Sequence, residues 1–142
     1  MAYSPFRTFP EAAQEAGVWV RELADLLGCE QRAAYDVLRA TLHAVRDSLS
    51  VDDNAKIGNS LPVIVRGIYY EGWNPMKMAT QLEPGALSTR LLGLMPSTVS
   101  ADEQVLVKIL KLLENRLGDK LPARLDVALK VCTQAMLEMQ LR

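Results

Sequence analysis

Apolar residues recur every third or fourth position through most of the chain, which is the spacing that places them on one side of an α-helix. The first such series runs up to Gly28, a residue suited to the C-terminal end of a helix, and consists of Ala16, Val20, Leu23 and Leu27. Ahead of it, Thr8-Phe9-Pro10-Glu11 has the form of a capping box. The pattern therefore predicts a helix over about residues 10–27.

The next helices are marked by a second apolar stripe and by two residues that interrupt helical structure. The stripe predicts a second helix and consists of Ala34, Leu38, Leu42, Val45 and Leu49. Ser50 can cap a short third helix that runs toward Gly58. Pro62 lacks an N–H donor and disfavours a helical conformation at Leu61, so we expect a break before the helical pattern resumes at Val63.

The second half of the chain repeats this kind of pattern. It predicts a helix that is closed by Pro96, a helix that follows a capping box at Ser100–Glu103, and a last helix whose first turn contains Pro122. No stretch alternates between polar and apolar residues in the way a half-buried strand does. The prediction is an all-α protein, a compact helical bundle of about six to seven helices in a single domain over residues 1–142.

The two halves resemble each other when the sequence is shifted by 68 positions without a gap. The shift pairs apolar residues with apolar residues along the chain, for example Trp19 with Leu87 and Leu49 with Leu117. This register predicts two pseudo-repeated three-helix units over about residues 10–72 and 84–142, joined by a linker at about 73–83. The only histidine, His43, pairs with Lys111, which favours a position on the flank or surface of the second helix.

Composition excludes several classes of function. The net charge is −1 and neither sign forms a long run, so the chain has no electrostatic footprint for nucleic acid. No apolar stretch is long enough to cross a bilayer, and the two cysteines are far apart; both features favour a reduced, cytoplasmic protein. No nucleophile with a base, no set of metal ligands and no phosphate-binding loop is recognised, so we expect no cofactor and no metal.

One segment is not explained by the repeated pattern. Residues 66–75 contain two tyrosines and a tryptophan, although aromatic residues make up only 6% of the chain. The segment stands out at Arg66, Tyr69, Tyr70 and Trp73. The repeat partners of these residues lack aromatic rings and are Gln134, Leu137, Glu138 and Leu141.

The same segment resembles a bacterial family known as domain of unknown function 2267. Members carry Leu-Pro, Arg-Gly, Tyr-Tyr, Gly-Trp and Pro in this order, and the chain has these residues between Leu61 and Pro75. The resemblance begins near Trp19, includes residues 42–47, and is strongest from Ile57 to Pro75. Members commonly have Gln before the Leu-Pro, where this chain has Asn59-Ser60. The resemblance implies an all-helical fold and brings no known catalytic activity, cofactor or partner.

Three roles are open for the segment. Tyr69 and Trp73 can pack on each other and fasten the linker to the first unit, with Arg66 paired to Tyr70 or Glu71. An exposed aromatic and arginine patch can instead bind another protein or a second copy of the chain, because Tyr, Trp and Arg dominate interface hot spots. The segment can also line a small-molecule pocket between the two units.

The first hypothesis for function is a non-enzymatic protein-interaction or scaffold module, including a homodimer, that acts through the aromatic segment. The alternative is a small-molecule-binding or weakly catalytic protein that uses a cleft between the two halves, with Arg66 as an anion anchor. The candidate binding residues are Arg66, Tyr69, Tyr70, Glu71, Trp73 and Asp47.

Overall fold

A computed structural model describes residues 5–76 and 103–118 of the chain, and in those two ranges it contains five α-helices and no strand. The helices are α1 (Pro5–Leu27), α2 (Gln31–Asp47), α3 (Val51–Ser60), α4 (Val63–Tyr70) and α5 (Glu103–Leu117). The all-α prediction is confirmed for this part of the chain. The predicted helices before Pro96 and after Pro122, and most of the predicted linker, lie outside the described residues.

Helix α1 ends as predicted but begins earlier. At its end, Gly28 has a φ of 65° and the N–H of Cys29 donates to the carbonyl of Ala24 at 3.1 Å, as in a Schellman motif. The predicted start was wrong, because the helix already begins at Pro5 and Pro10 lies inside it. Pro10 removes one backbone hydrogen bond from the second turn of α1, where the residues are exposed and water can bind the freed carbonyl.

Local signals set the limits of α3 and α4 as predicted. The side chain of Ser50 accepts a hydrogen bond from the N–H of Asp53 at 3.2 Å and caps α3. Leu61 is extended, with φ −87° and ψ 144°, as expected for a residue that precedes proline. Pro62 then comes directly before the first residue of α4, so the break between the two helices follows from the Leu-Pro pair.

The core lies between α1, α2 and α4, and α5 packs against α1. Its buried apolar side chains come from all five described helices and the segments between them, and include Trp19, Leu23, Leu38, Leu42, Ile57, Val65, Tyr69, Ile109 and Leu113. Burying a side chain of this size stabilises a fold by about 1.5–3 kcal/mol. Cys29 packs at the edge of this core, where burial raises the pKa of its thiol.

The position of α5 can be compared with that of α2 through the predicted repeat. Among the side chains of α5 that the structure describes, four are buried: Ile109, Leu112, Leu113 and Leu117. A shift of 68 pairs them with four residues on and just after α2 that are also buried: Thr41, Ala44, Val45 and Leu49. The two-unit organisation stays a prediction, because most of the second unit lies outside the described residues.

Candidate functional site

The aromatic segment forms the C-terminal part of α4 and the turn that follows it. Tyr69 is fully buried, with 0% of its surface exposed, whereas Tyr70 and Trp73 are half-buried and Glu71 is exposed. Helix α4 ends after Tyr70, and Gly72 adopts a φ of 73°, which only glycine reaches without strain. The segment is therefore partly core and partly surface.

Asn54 of α3 is the partner of both tyrosines. The hydroxyl of Tyr69 donates to Asn54 Oδ1, and the hydroxyl of Tyr70 donates to the main-chain carbonyl of Asn54 at 2.9 Å. The amide of Asn54 donates in turn to the carbonyls of Arg46, at 2.9 Å, and Leu49, at 3.2 Å, at the end of α2. This one buried side chain thus joins α2, α3 and α4.

The ring of Tyr70 lies between two other aromatic rings and against Gly58. Its centroid is 5.2 Å from that of Tyr69, edge to face, and 5.3 Å from that of Trp73, with a 36° tilt. A Cβ atom at Gly58 would collide with the Tyr70 hydroxyl and lie 2.8 Å from two ring carbons. Gly58 is therefore the residue that lets α4 approach α3 this closely.

Arg46 of α2 holds the C-terminal end of α4. Its side chain is almost completely buried, and Nη1 donates to the carbonyls of Tyr69, at 3.1 Å, and Glu71, at 2.8 Å. Its Nε donates to Asp47 Oδ1 at 3.0 Å. A cation at this position is favourable because carbonyls at the end of a helix lack helical partners and carry partial negative charge.

Arg66 donates hydrogen bonds to carbonyls at the end of α3, as Arg46 does at the end of α4. Nε donates to the carbonyl of Gly58 at 2.7 Å, and Nη2 donates to the carbonyl of Leu61 at 3.1 Å. These partners differ from the predicted ones, Tyr70 and Glu71. The carboxylate of Glu71 instead accepts from Arg39 of α2 at 3.1 Å, and this hydrogen bond lowers the pKa of Glu71.

His43 adds a further bond between α2 and α4. Its Nε2 donates to the carbonyl of Ile68 at 2.7 Å, which requires the proton on that nitrogen. The ring is half-buried on the flank of α2, and burial lowers the pKa of His43 despite this hydrogen bond. At neutral pH the ring is therefore uncharged and acts as a donor between the two helices.

These contacts define a polar junction, by which we mean Arg46, Asn54, Arg66, Tyr69 and Tyr70. Among the described residues, every buried side-chain nitrogen and oxygen has a hydrogen-bond partner. Burial raises the pKa of Tyr69 far above neutrality, so its hydroxyl stays protonated as a donor to Asn54. Within the same residues, no group of three His, Cys, Asp or Glu side chains could hold a metal ion. The junction fastens helices together.

Of the six residues predicted for the site, the structure brings five into or directly beside this junction. Arg66, Tyr69 and Tyr70 belong to it, Asp47 pairs with Arg46, and Trp73 packs on Tyr70. Glu71 contributes its carbonyl to Arg46, but its side chain lies on the surface with Arg39.

Sequence reasoning missed Asn54, Gly58 and the role of Arg46. Asn54 precedes Ile57 by three positions, so it lies on the buried face of α3, and a polar residue at such a position signals a specific partner. Arg46 directly follows Val45 in the apolar stripe of α2. Asn54 and Arg46 could therefore have been recognised as polar residues beside or within an apolar stripe.

The fold and the junction together define an α-helical protein, in the part of the chain that the structure describes, whose helices are joined by a buried hydrogen-bond network. No described helix is long and apolar enough to cross a membrane. The model of the family described as uncharacterized conserved protein (DUF2267) matches residues 17–130, so the chain belongs to this family. The match confirms the resemblance seen around residues 57–75 and extends it into the second half. Among curated proteins, no match was found.

Proposed function

We propose that this protein is a non-enzymatic helical module that binds another protein through the outward side of α4. We call this side the α4 surface and define it by Val63, Ile64, Gly67 and Glu71. Positions spaced by three and four residues lie on one side of a helix, so these four residues form a continuous strip. The strip overlaps the aromatic segment at Gly67 and Glu71 and extends beyond it to Val63 and Ile64.

The single observation that carries the proposal is the exposure of apolar residues on this strip. Val63 is 57% exposed and Ile64 is 40% exposed, although β-branched apolar side chains of a short helix are normally buried. Apolar residues exposed singly are ordinary, whereas these two neighbours form a small contiguous apolar surface that a partner can cover. Gly67 lies on the strip between these two residues and Glu71, and it has no side chain.

The polar junction supports the proposal because it holds α4 against α2 and α3 on the side opposite the α4 surface. Arg46 and His43 bind the carbonyls at the end of α4, and Tyr69 and Tyr70 bind Asn54. A helix that is held rigidly in the free protein loses little conformational entropy when it binds a partner. The aromatic residues then serve binding indirectly, by ordering the helix that carries the contact.

The pocket hypothesis is not favoured by the same contacts. It needs Arg66 as an anion anchor, but the Arg66 guanidinium already donates to the carbonyls of Gly58 and Leu61. Releasing it would leave the end of α3 without these donors, at a cost of about 1–3 kcal/mol for each buried group left unpaired.

The proposal is tested by placing a charge on the α4 surface. The immobilised full-length protein is used to capture proteins from its own cells, and capture is compared between wild type, Ile64→Glu and the control Ala13→Glu, which changes an exposed residue of α1. We expect the control to capture the same proteins as wild type and Ile64→Glu to lose them, while circular dichroism stays unchanged. Equal capture by all three would show that the α4 surface is not the contact.

A further inference from the structure

We draw no further inference here: the strongest candidate, the apolar patch that Phe6 and Phe9 form on the exposed first turns of α1, carries no proposal because nothing in the structure shows what covers it.

Discussion

At the scale of single residues, Gly58 controls how closely two helices approach. We expect Gly58→Ala to destabilise the protein by about 1–3 kcal/mol, because the new methyl group would overlap the Tyr70 ring and hydroxyl. The better helix propensity of alanine offsets up to about 1 kcal/mol of this loss. Urea denaturation of the purified protein measures the difference.

The chain contains a matched control for this substitution. Gly67→Ala makes the same change inside a helix at a position with no atom within 4 Å of the added Cβ. We expect it to be neutral or to stabilise the fold by up to about 1 kcal/mol. If both variants lose the same free energy of unfolding, the close contact between Gly58 and Tyr70 is not what makes Gly58 necessary.

His43 gives stability a specific dependence on pH. Burial, with a smaller contribution from Arg46 and Arg39, lowers the pKa of His43 below its unfolded value of about 6.5, against the opposing effects of the Ile68 carbonyl and Glu71. The unfolded chain therefore binds the proton more readily. Stability should be fully present above pH of about 6.5 and fall as the pH drops toward the folded-state pKa of His43.

The control for His43 is an uncharged donor of similar reach. His43→Gln can still donate to the carbonyl of Ile68 but does not titrate. We expect the loss of thermal stability between pH 7.5 and 5.5 to be smaller in His43→Gln than in wild type. An identical loss in both proteins would assign the pH dependence to other groups.

At the scale of helices, the sequence predicts a boundary well where a single local signal marks it. Gly28, Ser50 and Pro62 act on the backbone within three residues of themselves, so the structural feature each one marks can be predicted from the sequence. The start of α1 was misplaced because Thr8 can cap a helix only if the preceding residues are not helical, and Pro5 already begins one. Which of two neighbouring start signals a helix uses cannot be predicted from either signal alone.

The sequence singled out the aromatic segment, but it did not predict the contacts that its residues make. The repeat comparison singled out Arg66, Tyr69 and Tyr70, and all three belong to the polar junction. Their partners, Asn54 and the carbonyls of Gly58 and Leu61, lie 5–16 residues away and across a helix boundary. Which polar group meets which depends on how α3 and α4 cross, and helical periodicity carries no information about that angle.

At the scale of the whole molecule, α5 connects the second half of the chain to the first. Arg116 pairs with the carboxylate of Glu22 and lies over the ring of Trp19, 5.7 Å from its centroid. The buried residues of α5 belong to the same core cluster as those of α1, α2 and α4. Helix α5 and the first four helices should therefore lose their structure in one transition.

Trp19 can report on this transition. The chain has two tryptophans, so Trp73→Phe leaves Trp19 as the only one, buried beneath Arg116. In this variant, we expect unfolding by fluorescence and by circular dichroism to give the same midpoint in urea. A fluorescence change at lower urea would mean that α5 separates from α1 while the other helices remain folded.

The arrangement around Asn54 restricts how this protein can evolve. Its amide nitrogen faces two carbonyls and its oxygen faces the Tyr69 hydroxyl, so aspartate, although the same size, would set an acceptor against acceptors. Phenylalanine at position 69 would in turn leave the amide oxygen with no donor from α4. Either substitution alone leaves a buried polar group unpaired at a cost of about 1–3 kcal/mol, so selection for stability acts against both.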